Sequence, residues 1–158
     1  MTRALIGLGS NLGDREGNLR VALAQLEASG AARIVAVSAF LETDAVVLPG
    51  HSGPLPPRYL NGAAVVETAL RPRALLAAMQ AAERAAGRRP AAERWAPREA
   101  DLDLLLYGEE TVDEPGLVVP HPRMTERRFA LVPAAEVAPE MRHPRLRRTV
   151  RELLEATP

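Results

Sequence analysis

Two hydrophobic periodicities alternate along this chain, and their order restricts the fold more than any other feature of the sequence. Residues 3–8, 33–42, 59–69 and 100–107 are strand-length runs rich in apolar and β-branched residues, which predicts four strands. Between the first two, Leu19, Ala22, Leu23 and Leu26 recur at helical spacing, with Asp14 placed to cap that helix and Gly30 to end it. Between the third and fourth, Pro72 opens a second helix with Leu75, Leu76, Met79 and Ala82 on its apolar face. The order β-α-β-β-α-β predicts an α+β, ferredoxin-like core: an antiparallel sheet with both helices on one face. Beyond it lie a short hairpin over 110–119, helical pieces over 123–136 and a last helix marked by Leu146, Val150, Leu153 and Leu154. These extra elements are placed to cover part of the other face. The 158 residues suit a single domain, and no repeat or linker divides 1–158.

Charge and composition exclude several functions. The chain carries 20 basic and 20 acidic residues, whereas a generic nucleic-acid coat is strongly basic. No apolar run reaches the ~18 residues of a membrane span. The N-terminus lacks the pattern of a signal peptide, and cysteine is absent, so a cytoplasmic protein without disulfides is expected. Every basic residue is arginine. A P-loop lysine is therefore impossible, and any anion must be held by arginine forks, backbone amides or metal.

Two long loops, 43–58 and 87–99, interrupt the pattern, and long loops in compact domains are often functional. The second leads into Asp101-Leu102-Asp103-Leu104-Leu105-Leu106. Strand alternation puts Leu102, Leu104 and Leu106 on one face, and Asp101 and Asp103 on the other with Leu105 and Tyr107. A bare Asp-x-Asp fits a solvated strand face as well as a magnesium site. Arg88, Arg89, Arg94 and Arg98 precede it closely, and carboxylates beside arginine forks are what phosphoryl transfer requires. Trp95, the lone tryptophan, sits in the same loop; it either closes over a site or anchors the loop on the core. Gly7, Gly9 and Gly13 do not match the dinucleotide fingerprint, and a turn leading into a helix accounts for them. Of the histidines, His51 reads as incidental, His143 as a surface residue, and His121 in Pro120-His121-Pro122 as the one worth following.

In combination these segments resemble the 6-hydroxymethyl-7,8-dihydropterin pyrophosphokinase family. The matching stretches are Gly9-Ser10-Asn11-Leu12-Gly13, Tyr59-Leu60-Asn61, Gly87-Arg88, Arg94-Trp95-Ala96-Pro97-Arg98-Glu99-Ala100-Asp101-Leu102-Asp103, Pro120-His121 and Arg127-Arg128-Phe129, in order from about residue 4 to Glu140. The resemblance implies transfer of pyrophosphate from ATP to the pterin hydroxymethyl oxygen, with release of AMP and the use of two magnesium ions. It implies that Asp101 and Asp103 hold the metals, and that Arg88 and Arg98 serve catalysis and contact the triphosphate with His121, Arg127 being nearby. It implies Asn61 and the backbone near Thr43 on the pterin, Tyr59 and Phe129 around its ring, Trp95 closing over the site, and Glu83 near the nucleotide. The implied partners are ATP and the pterin, with no nucleic acid or membrane, for a monomer. Pro90 and Gly116 stand where the family often has arginine, with Arg89, Arg123 or Arg128 as candidate substitutes; Ala96 replaces a common glycine, and Asp44-Ala45 opens loop 44–58 differently. Three rivals remain: a nucleic-acid-binding module, a phosphohydrolase, and a non-catalytic relative that still binds ATP.

Overall fold

A computed structural model describes residues 1–44, 49–55, 57–87 and 99–158. The elements run β1 (Thr2–Ser10), α1 (Arg15–Ala28), β2 (Arg33–Val37), β3 (Leu41–Thr43), β4 (Tyr59–Thr68), α2 (Pro72–Ala85), β5 (Asp101–Tyr107), β6 (Val112–Glu114), β7 (Leu117–Val119), a 3-10 turn (Met124–Glu126), α3 (Arg128–Val137), β8 (Arg142–His143), β9 (Arg148–Thr149) and α4 (Val150–Glu155). The main sheet has the order β2-β4-β1-β5, with β3 also on β4, and its pairings are antiparallel. This is the expected ferredoxin-like arrangement. The helix boundaries follow the local chemistry. The Asp14 side chain accepts the Gly17 N–H, Gly30 takes the positive φ of 79° that lets the chain leave α1, and Pro72 starts α2.

Each face of the sheet has its own core. On one, α1 and α2 bring Leu19, Leu23, Leu26, Leu75 and Met79 onto Ala4, Ile6, Leu8, Leu102 and Leu104. On the other, α3 and α4 bring Leu131, Ala134, Val150 and Leu153 onto Leu5, Ala63, Val65, Leu105 and Leu106. The second cover reaches only part of its face, as the extra C-terminal segments led one to expect. The remaining end of that face is where Gly7, Gly9, Asn61, Asp101 and Asp103 lie.

Five expectations need correction. The predicted strand 33–42 is two strands, because the chain breaks at Ser38–Phe40. The Ser38 hydroxyl donates to the Ala39 carbonyl and accepts the Ala63 N–H, and the Phe40 ring lies over Gly62, where any Cβ would come within 2.6 Å of it. The alternation in β5 fails after Leu104: Ile6 pairs with Leu104 but Leu5 with Leu106, so Leu105 is the extra residue of a bulge. Leu106 therefore joins Leu105 in the second core, while Tyr107 turns to the first and donates its hydroxyl to the Leu70 carbonyl. Gly7 and Gly9 belong to β1 rather than to a turn. Leu146 is exposed and lies between β8 and β9, outside the last helix. His143 is buried, with Nδ1 accepting the N–H groups of Arg145 and Leu146.

Candidate active site

The uncovered end of the second face is a cleft of about 480 Å³, a size typical of small-molecule sites. Its floor is β1. Gly7 and Gly9 present no side chain there, and in register opposite them stand Asp103 and Asp101 of β5. A Cβ at Gly7 would touch Leu105 at 3.4 Å, and one at Gly9 would reach Asn61 Oδ1 at 3.7 Å. Two bare positions in a strand weaken it, so they are best understood as room for a ligand to approach the backbone closely.

One wall comes from β3 and β4. Asn61 is buried and donates its amide N–H to the Thr43 hydroxyl at 2.5 Å, which fixes the amide and leaves its oxygen above Gly9. Tyr59 lies two residues earlier on β4, on the same side. The base of the loop beyond Thr43 is tied by ion pairs from Arg15 and Arg58 to Glu42 and from Arg58 to Asp44. Arg15 also donates to the Arg58 carbonyl at 2.9 Å.

The opposite wall is built from the segment before α3. The His121 N–H donates to the Leu105 carbonyl at 3.0 Å, so the bulge of β5 anchors it. His121 Nδ1 accepts the Arg123 N–H at 3.1 Å, which leaves Nε2 to carry the proton of the neutral ring. Burial pushes its pKa below the usual histidine range; the Arg127 and Arg123 cations push the same way, and Asp101 opposes them. Arg127 lies over the Phe129 ring, 5.7 Å from its centroid. Among the described residues neither Arg123 nor Arg127 forms a salt bridge, so both cations are available to an anion in the cleft.

The structure thus brings Thr43, Tyr59, Asn61, Asp101, Asp103, His121, Arg127 and Phe129 to one cleft. Arg88, Arg89, Arg94, Trp95 and Arg98, together with Pro90 and Ala96, lie outside the described residues. Glu83 does not line the cleft. It is buried on α2, on the far side of β5, and its Oε2 accepts the Leu102 N–H at 2.7 Å. Of the candidates to replace the missing arginines, Arg123 lines the cleft, while Arg128 donates to the Thr157 carbonyl at 2.8 Å. Gly116 has φ 76°, a conformation that would strain arginine. Sequence reasoning named Arg123 as one of three candidate substitutes and missed the floor glycines. The signal for the glycines was their spacing of two within a strand, obscured by ending that strand at residue 8.

The carboxylates of Asp101 and Asp103 are half-buried and share one face of β5. Among the described residues no cluster of three or more histidine or acidic side chains could cage a metal ion. Two carboxylates suit a hard cation that completes its shell with water and ligand phosphate oxygens, rather than a cation held by protein alone.

Residues 5–139 match the family model of 7,8-dihydro-6-hydroxymethylpterin-pyrophosphokinase (HPPK). The 2-amino-4-hydroxy-6-hydroxymethyldihydropteridine pyrophosphokinase of Pseudomonas aeruginosa is 42% identical over 157 residues, which cover 99% of this chain and 92% of that relative. The Bacillus subtilis enzyme of the same name is 43% identical over 138 residues, 87% of this chain and 79% of the relative. Among solved structures, Plasmodium falciparum wild-type HPPK-DHPS with pteroate superposes with a TM-score of 0.73 at 15% identity, over 98% of this chain and 44% of that one. The chain spans less than half of that protein, and the likeness establishes the fold alone.

Proposed function

The chain belongs to the 7,8-dihydro-6-hydroxymethylpterin-pyrophosphokinase family, and from that premise we propose that it transfers pyrophosphate from ATP to 6-hydroxymethyl-7,8-dihydropterin in folate biosynthesis. It does so as a magnesium-dependent, monomeric enzyme of the cytoplasm. The observation that carries this reading is the convergence of eight separately named residues on one cleft, with the aspartates at one wall and the Asn61–Thr43 pair at another. Among the described residues no helix is long and apolar enough to cross a membrane.

The two ends of the cleft divide the chemistry. Asn61, fixed by Thr43, orients the pterin through its amide oxygen, and Tyr59 and Phe129 flank the ring. Arg127 and the Nε2–H of His121 bind phosphate oxygens, with Arg123 as the substitute for an arginine the family often has elsewhere. Asp101 and Asp103 would hold the magnesium ions, which when bound neutralise charge on the phosphates. Arg88, Arg98 and Trp95 complete the nucleotide side from the loop outside the described residues. The hydroxymethyl oxygen forms a bond to the β-phosphorus as the bond from that phosphorus to the α–β bridging oxygen breaks. AMP leaves with the bridging oxygen, and the hydroxyl proton passes to solvent or phosphate oxygen. No residue is assigned as a strong base, because alignment and charge stabilisation carry most of such a step.

The test is AMP formation from ATP and magnesium, with and without the pterin. Pterin-dependent AMP matched by pterin pyrophosphate supports the proposal. ADP and phosphate would replace it with an ordinary kinase or a hydrolase, and ATP binding without turnover with a non-catalytic relative.

A further inference from the structure

Glu83 occupies an expensive position. It lies in the last turn of α2, where the helix dipole is unfavourable to a negative charge. It is only 5% exposed and belongs to a helix face otherwise lined by Leu75, Met79 and Ala82. A carboxylate taken from water there is destabilising unless it is hydrogen-bonded. One bond it makes is the 2.7 Å contact from the N–H of Leu102.

That bond falls at a sensitive point. Among the described residues β5 is the edge strand of the sheet, with β1 as its neighbour, and Leu102 stands between Asp101 and Asp103. Opposite the two aspartates are Gly9 and Gly7, which offer no side chain to brace either carboxylate. The backbone of β5 therefore contributes to where both carboxylates lie. We propose that Glu83 is a positioning residue: it pins the outer edge of β5 at Leu102 and thereby sets how Asp101 and Asp103 are presented to the cation–phosphate group. This rests on the reading of the aspartates given under Proposed function, and it differs from a direct contact between Glu83 and the nucleotide.

Two variants test it. Glu83→Met keeps the volume and removes the acceptor, whereas Glu83→Gln removes the charge and keeps an acceptor oxygen. Three readouts are used: hydrogen exchange of the Leu102 amide in ligand-free protein, Mn²⁺ affinity by electron paramagnetic resonance with a non-hydrolysable ATP analogue, and affinity for the analogue in EDTA. In Glu83→Met, exchange at Leu102 accelerates and Mn²⁺ affinity falls by ~10–100-fold, the usual loss when a partner behind the ligands is removed. Analogue binding in EDTA is unchanged. Glu83→Gln restores slow exchange and most of the Mn²⁺ affinity. If Glu83→Met does not fold, Glu83→Gln alone decides, because near-native Mn²⁺ affinity upholds positioning and a large loss overturns it. Loss of analogue binding in EDTA in either variant would also overturn it, in favour of direct nucleotide contact. Absence of Mn²⁺ binding in the wild type would instead remove the cation reading of the aspartates, and Leu102 exchange would still decide whether Glu83 holds the strand.

Discussion

Replacing Gly9 with alanine should strengthen the fold and weaken the enzyme, and the opposite signs make it a sharp test of the cleft floor. The new methyl would lie 3.7 Å from Asn61 Oδ1 and 3.8 Å from the Tyr59 ring. Both are ordinary contacts, so the ligand-free protein accepts it without strain. A strand glycine gives up more conformational freedom on folding than alanine, a difference of ~0.5–1 kcal/mol. In a chain of this size that raises Tm by roughly 1–4 °C. A ligand packed on the bare Cα sits about 3.5–4.0 Å above it. The methyl forces it outward by about 1.5 Å, the length of the added bond. A misplacement of ~1 Å can cost 100-fold in rate, so kcat/KM for the pterin should fall by ~10–100-fold while affinity for ATP changes little. The assay pairs thermal melting with pterin-dependent AMP formation. A raised Tm with unchanged kcat/KM would show that substrate does not rest on β1 at Gly9. A Tm several degrees lower would show that the floor is not open as described.

Three further outcomes follow from the same structure. Asp103→Asn should lower turnover by ~100-fold or more, since several kcal/mol of charge stabilisation pass through such a ligand, with the melting curve little changed; near-native turnover would remove the metal-ligand role. Leu131→Ala opens a cavity at a fully buried position in the second core and should cost ~2–5 kcal/mol in urea unfolding; a loss below ~1 kcal/mol would mean that α3 does not hold the sheet as described. Burial holds the pKa of His143, like that of His121, below the ordinary histidine value of 6.5. The unfolded chain then binds more protons, so their contribution to stability is full above that value and is lost as pH falls toward the lowered native pKa values. Melting between pH 7.5 and 5 should show this decline, and His143→Asn should flatten it; a slope unchanged by the substitution would leave His143 without a part in it.

Much of the fold was legible because each helix and strand carries its own period, and only a few arrangements satisfy the order β-α-β-β-α-β. What stayed hidden depended on partners distant in sequence. Nothing local in residues 33–42 shows that Ser38 bonds Ala63 or that Phe40 covers Gly62. Leu104-Leu105-Leu106 conceals the bulge, because three leucines satisfy either phase of the alternation. His143 looked like a surface residue because its buried partners are backbone amides, which leave no trace in composition. The cleft was legible residue by residue through the motif string, but the pairing of Asp101 with Gly9 and Asp103 with Gly7 is a matter of register.

The extra residue in β5 makes that strand a phase shifter. Its first half is written for the cleft, with carboxylates on the open side and leucines on the other. Its second half is written half a period out of step, so that Leu106 and Tyr107 reach opposite cores. The bulge absorbs that half period. Leu104 and Leu106 face Ile6 and Leu5, consecutive residues of β1, so the ladder runs on past Leu105 as though it were not there. Deleting Leu105 would leave both halves in phase, with the aspartates still toward the cleft and Tyr107 still toward the first core. What would go is the carbonyl that accepts the His121 N–H. The extra residue is thus a bracket between the strand of the aspartates and the opposite wall, and a chain one residue shorter there would keep its fold and lose the tie that holds His121 against the cleft.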